Sequence, residues 1–260
     1  MAPIITLLTD FGTRDGYVAA MKGVILGICP DARIVDVTHE IAPQAVAEGA
    51  FVLSTVAPYH PAGTIHTVVV DPGVGSDRRS VAVRAGEQLF VAPDNGVLTW
   101  VLPPGADYEA VSLEEPTYWR PIISHTFHGR DVYAPVAAHL AAGVPLGWLG
   151  PPVDDLVRLE LPRAERHVDG AVAGAIIHVD HFGNLISNIP AAWITRLSEG
   201  SVSVGEARID GIIPTYAMAP SGGLLALVGG SHGYLEVAVR GGSAAARLGV
   251  GVGAPIVARR

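Results

Sequence analysis

The chain has 260 residues, with 17 basic against 25 acidic side chains and a formal charge of −8. Apolar residues make up 49% and charged ones 16%, which excludes intrinsic disorder, while Gly 31 and Pro 20 stay below a low-complexity composition. A single lysine, Lys22, leaves no basic stripe for nucleic acid, and a single cysteine, Cys29, excludes an internal disulfide framework.

The first residues, Met1 to Asp10, carry no positive charge ahead of their apolar run, against the pattern of a secretory leader. No apolar stretch reaches about 18 residues, so no membrane span is expected, and the setting expected is a reducing cytoplasm. Ile4 to Thr9 reads as a strand. Tyr17 to Cys29 reads as a helix, with Val18, Met21, Ile25 and Ile28 on one stripe. A strand is expected over Arg33 to Val37, and a helix over Pro43 to Val56 with proline in its first turn. Thr64 to Val70 ends in three valines, the pattern of a strand buried on both faces. Ser80 to Arg84 and Gln88 to Val91 read as a strand pair, and Asp131 to Ala142 as a helix stopped by Gly143. This alternation predicts an α/β layered domain over residues 1–150 with a largely parallel sheet.

From Val144 to Glu165 proline and glycine crowd a segment without periodicity, which places a linker at about 151–168. Short strands then dominate: Ala171 to Val179, Ser201 to Val204, Leu224 to Val228, Tyr234 to Arg240 and Pro255 to Arg259. Only Ala191 to Leu197 looks helical. Residues 169–260 are therefore expected to form a smaller, mostly antiparallel β domain.

Five loops hold chemistry-bearing residues. Asp10, Phe11 and Gly12 follow the first strand directly; a carboxylate there suits a vicinal diol, or else an Asx-turn. The loop from Asp71 to Arg79 is glycine-rich without the Gly-Lys-Ser/Thr ending of a phosphate loop, and folding back would bring Asp71 and Arg78 into a charge-assisted pair. In the segment from Ser124 to Asp131, His128 is a candidate general base, and Asp131 a helix cap or first-turn acid. In the second domain, Asp180, Phe182 and Asn184 offer carboxylate, ring and amide to a nucleoside or amino acid, and Ser231 with His232 form a second glycine-framed loop. The spacings of His125, His128 and Asp131, or of His178, Asp180 and His181, would also suit a metal-dependent hydrolase; a non-catalytic nucleoside-binding protein is a further reading.

Taken together, LLTDFG (Leu7–Gly12), ICPDARIVDVTH (Ile28–His39), VVVDPGVGSDRRSVAV (Val68–Val83), VAPDNGVLT (Val91–Thr99), TFHGRDVYAPVAAHLAAG (Thr126–Gly143), DHFGNLISNI (Asp180–Ile189) and GSHGYLEVA (Gly230–Ala238) resemble the S-adenosyl-L-methionine (SAM) hydroxide adenosyltransferases, relatives of fluorinase and chlorinase. The resemblance implies a hydrolase that splits SAM into adenosine and methionine without cofactor or metal. It implies that Asp71, Arg78 and His128 handle the nucleophile and that Asp10 holds the ribose. Asp180 would then hold the methionine portion, Phe182, Asn184 and Tyr216 the adenine, and Ser231 the methionine carboxylate. His232 departs from the arginine of fluorinase. A homotrimer with sites between subunits is likewise implied.

Overall fold

The computed structural model describes residues 2–194 and 200–259 and divides the chain into two compact units, Met1–Leu159 and Glu160–Arg260. The first holds β1 (Ile4–Thr9), α1 (Tyr17–Ile28), β2 (Arg33–Thr38), α2 (Val46–Val56), β3 (Ile65–Val69), β4 (Ser80–Ala85), β5 (Gln88–Pro93), β6 (Tyr108–Ser112) and α3 (Ala134–Ala141). Its sheet runs in the order β2-β1-β3-β5-β4-β6. The β2-β1-β3-β5 pairs are parallel, and the β4 pairs with β5 and β6 are antiparallel. Alternation along each strand feeds two cores. Leu7 and Val69 face Met21 and Ile25 of α1 and Val136 and Leu140 of α3, whereas Leu8, Val68 and Val70 face Ala50 and Leu53 of α2. Helices thus cover both faces, which is why β1 from Ile5 onward and the whole of β3 are buried.

From β1 the chain passes through α1 to β2 on one side, then through α2 to β3 on the other, so the order of strand addition switches sides between β1 and β3. Thr9 and Val69 pair in register there, and Asp10 and Asp71 follow them within two residues. The crevice beyond such a switch point is where open α/β sheets bind ligands.

Two expected helices start later than the sequence suggests. The proline-led turn at Pro43 is not helical. Gln44 takes φ 68° and donates its N–H to Asp10 Oδ2 at 2.8 Å, and α2 begins only at Val46. Over Gly129–Tyr133 the chain forms a wide π turn, closed by the Ala134 N–H to the Gly129 carbonyl, before α3 begins. Pro135 has no N–H to offer the carbonyl of Asp131, which accepts from Arg120 N–H at 2.9 Å instead.

The second unit holds β7 (Glu165–Arg166), β8 (Val172–Val179), β9 (Leu185–Pro190), α4 (Ala191–Ile194), β10 (Ser201–Val204), β11 (Ala207–Asp210), β12 (Ile212–Ile213), β13 (Leu224–Leu227), β14 (Tyr234–Val239), α5 (Ala244–Leu248) and β15 (Pro255–Arg259). Its strands run β11-β10-β15-β8-β9-β14-β13-β12, with β7 also on β8, and all pairs are antiparallel except β12 with β13. Val172, Ile176, Leu185, Val202, Leu235 and Ile256 build its core. The expectation of one helix here is corrected by α5. Ser243 caps its start by accepting Ala246 N–H, and Gly249 ends it in the left-handed region. Of the expected helix over Ala191 to Leu197, residues 195–197 lie outside the described residues. Among the described residues no helix is long and apolar enough to cross a membrane.

Candidate active site

In the first unit two loops bring Asp71, Arg78 and His128 together: the one between β3 and β4, and the one ahead of the wide turn at Gly129. The Arg78 guanidinium donates from Nε to Asp71 Oδ1 at 2.8 Å and from Nη2 to Asp71 Oδ2, a two-pronged pair with both side chains nearly buried. Burial alone would lower the arginine's pKa, but the hydrogen bond to Asp71 and the Asp71 charge drive it up, so the cation is permanent. From the same Nη2, His128 Nδ1 is 3.0 Å away. A guanidinium only donates, so Nδ1 is the acceptor and the imidazole proton resides on Nε2. Burial, reinforced by the Arg78 charge, lowers the His128 pKa and keeps the ring neutral.

Local structure explains why these loops meet. Gly75, at φ 79°, packs so closely on the His125 carbonyl that a Cβ would lie 2.5 Å from the oxygen. Asp131 stands in the first turn and is not its cap. Fully buried, it accepts from Arg130 Nε (2.7 Å), Arg130 Nη2 (2.8 Å) and Ser124 N–H (2.9 Å), which pins the loop carrying His128. Burial would raise its pKa, yet the Arg130 and Ser124 hydrogen bonds hold it below the ordinary carboxylate value.

The loop after β1 has its own support. Phe11 N–H donates to Thr9 Oγ1 at 3.2 Å, and Thr9 Oγ1 lies 2.9 Å from His39 Nδ1. The other ring nitrogen of His39 is 3.0 Å from Asp36, which also binds Lys22 at 2.6 Å. The Phe11 ring packs with Phe127 (5.8 Å between centroids) and Tyr17 (5.8 Å), tying the Asp10 loop to the His128 loop through apolar contact.

In the second unit a cavity of about 550 Å³ is lined by Asp180, Phe182, Asn184, Tyr216, Ser231 and His232. Its size falls within the range of small-molecule sites. Asp180 shapes it from within. Its carboxylate accepts from Phe182 N–H (2.9 Å), Asn184 N–H (2.8 Å) and Asn184 Nδ2 (2.9 Å), so the loop folds around the acid. Phe182 is 72% exposed and Tyr216 41%, leaving aromatic surface open to a flat apolar ligand. Burial lowers the His232 pKa against the opposing charge of Asp180, so His232 supplies no permanent cation.

Several residues escaped the sequence reading. Glu236, 2% exposed on β14, lines the same cavity and accepts from the Tyr216 hydroxyl. Burial raises its pKa, as does the nearby Asp180. Arg240 also lines this cavity. In the first unit, Ser80 and Tyr133 contact Arg78 and Asp71. Glu236 and Tyr133 look from sequence like members of apolar runs, and nothing in their spacing signals a polar role. Among the described residues no group of three or more His, Cys, Asp or Glu is arranged to hold a metal ion, so the histidine–acid spacings do not form a metal site.

Family models described as the SAM hydroxide adenosyltransferase N-terminal and C-terminal domains match residues 5–150 and 174–257. An (R)-S-adenosyl-L-methionine hydrolase of Salinispora arenicola is 44% identical over 95% of this chain and 94% of its own. A fluorinase of Actinoplanes is 32% identical over 91% and 90%. An uncharacterized conserved protein from Thermotoga maritima superposes with a TM-score of 0.92 at 37% identity, covering 98% of this chain and all of the other.

Proposed function

Since the chain belongs to the SAM hydroxide adenosyltransferase family, we propose that it hydrolyses S-adenosyl-L-methionine to adenosine and L-methionine. The observation that carries this reading furthest is the Asp71–Arg78–His128 cluster at the switch point of a parallel sheet. Related hydrolases are named for the R epimer at sulfur, and that epimer is the proposed substrate.

Oxygen attacks the 5′ carbon in line with the breaking carbon–sulfur bond. Sulfur takes the bonding pair and leaves as a neutral thioether, so no general acid is needed; the attacking species is hydroxide, and the proton its parent water gave up goes to bulk solvent. The protein must therefore align and polarise the nucleophile. In the tautomer set by Arg78, His128 Nε2–H donates to the nucleophile's oxygen, while the guanidinium charge favours hydroxide over water. Aligning the two reactants supplies up to ~7–11 kcal/mol in the best cases. No metal or cofactor enters this scheme.

Asp10 is the proposed ribose ligand; its Oδ2 already holds the Gln44 N–H, which aims the carboxylate and leaves Oδ1 to a hydroxyl. Phe182, Tyr216 and Asn184 would receive the adenine, and Asp180, Ser231 and His232 the methionine portion. Phe11 would act by shaping the ribose loop. The working assembly is proposed to be a homotrimer in which each site draws on neighbouring subunits, in the cytoplasm.

The deciding experiment incubates the protein with each sulfonium epimer in ¹⁸O-water and weighs the adenosine formed. Label in the 5′ hydroxyl, equal methionine, and no change on adding halide or a chelator support the reading. Tight binding without product in calorimetry would replace it with a nucleoside-binding role.

A further inference from the structure

Resting on that reading, we propose that Ser80 and Tyr133 are positioning residues: together with Asp71 they close a directed ring of hydrogen bonds around the Arg78 guanidinium and so fix which N–H it presents to His128. Ser80 opens β4, two residues after Arg78, and Tyr133 lies at the end of the wide turn that carries His128. The contacts are Arg78 Nη1 to Ser80 Oγ at 2.9 Å, Ser80 Oγ to Tyr133 Oη at 3.0 Å, and Tyr133 Oη to Asp71 Oδ2 at 3.4 Å.

Proton counting gives the ring its direction. Arg78 can only donate, so Ser80 Oγ accepts from Nη1 and passes its own proton to the Tyr133 oxygen. A carboxylate can only accept, so the tyrosine proton points to Asp71, completing the circuit through the Asp71–Arg78 pair. At 3.4 Å that last contact is the longest of the ring. Four of the five guanidinium N–H groups are thereby assigned: Nε and one Nη2 hydrogen to Asp71, the other Nη2 hydrogen to His128, and one Nη1 hydrogen to Ser80.

Tyr133 is wholly buried, with Arg78 Cζ 5.7 Å from its ring centroid, so no solvent competes for the hydroxyl. Without the ring, Asp71 alone would hold the guanidinium, and Nη2 would lose its fixed aim at Nδ1. The imidazole would then sample both neutral tautomers, and the form with Nε2 unprotonated cannot donate to the nucleophile.

The test compares wild type with Ser80→Ala, Ser80→Thr and Tyr133→Phe, with folding checked by circular dichroism. Expected are a roughly tenfold fall in kcat for Ser80→Ala and Tyr133→Phe, a KM within twofold of wild type, and recovery in Ser80→Thr, which restores the hydroxyl. In ¹⁵N-histidine-labelled protein, the His128 signals, assigned with His128→Gln, should report a single Nε2–H form in wild type and Ser80→Thr. They should report a tautomer mixture in the other two. Unchanged kcat, or a His128 tautomer identical in all four proteins, would overturn the proposal. Because the nitrogen spectrum needs no substrate, wild-type protein that fails to hydrolyse either epimer would defeat the functional reading while the ring stays tested.

Discussion

Arg78 Nη2 and His128 Nδ1 lie 3.0 Å apart, and this one contact assigns both partners their roles. The histidine receives a hydrogen bond from a permanent cation, so it is neutral and its outer nitrogen carries the proton. The arginine holds Asp71 with one edge and the imidazole with the other.

Removing any member of this cluster should therefore damage the chemical step more than binding. Asp71→Asn, Arg78→Ala and His128→Ala are each expected to lower kcat by about 10²-fold or more, within the range for losing a group that aligns and polarises the nucleophile. KM should move only a few-fold, because the cavity around Phe182 and Tyr216 is untouched. Steady-state kinetics with binding calorimetry measures both; wild-type turnover in all three variants would refute the assignment.

The acid limb of the pH profile should fall below the ordinary histidine value of 6.5. Burial and Arg78 depress the His128 pKa, while Asp71 and Asp131 pull it upward and His125 downward, and the net shift is down. A lowered pKa means the neutral ring survives to lower pH, so kcat/KM should hold through pH 6.5 and decline only beneath it. An acid limb centred above 6.5 would contradict this order of charges.

Gly75→Ala should be costly although the residue is exposed. A side chain is strained at φ 79°, and its Cβ would press on the His125 carbonyl. Strain of this kind costs about 1–3 kcal/mol. The loop would have to move off the His128 segment, so kcat should drop together with Tm, as thermal melts and kinetics on one preparation can show. Unaltered Tm and kcat would mean the loops do not depend on this approach.

Fold stability should weaken in acid through His66. Fully buried on β3, it contacts Thr6 Oγ1 at 2.8 Å and stacks on Phe90, and burial pushes its pKa down from 6.5 to about 4. The unfolded chain thus takes up a proton that the folded one refuses between those values, so stability is complete above pH 6.5 and is lost as pH falls toward 4. At 1.36 kcal/mol per unit the loss approaches about 3 kcal/mol. Urea titrations at pH 7 and pH 4 should show a smaller difference for His66→Asn; equal differences would exclude this origin.

Much of the architecture was legible because it depends on local pattern. Strands β1, β3 and β15 follow from short apolar-rich runs bounded by turn residues, β10 from alternating serine and valine, and α1 from a helical stripe. Strands β6 and β9 were less legible because polar residues interrupt their apolar pattern, Glu109 in the one and Ser187 and Asn188 in the other, and α5 was hidden in an alanine-rich stretch despite its Ser243 cap and Gly249 stop. The loops after β1 and β3 could be singled out as sites because acids follow apolar strands there directly.

Sequence alone determined the two-part layout, the loops that carry acids and histidines, and the family motifs, since each is written in neighbouring residues. Only tertiary structure decided that Tyr133 and Ser80 touch Arg78, that His128 accepts rather than donates at Nδ1, and that Glu236 enters the cavity of Asp180. Those relationships join positions from 2 to 56 residues apart, and they arise from how strands order themselves in a sheet and how a proline widens a turn. Hydrogen-bond direction depends on which donors and acceptors finally meet, and that is a property of the folded chain.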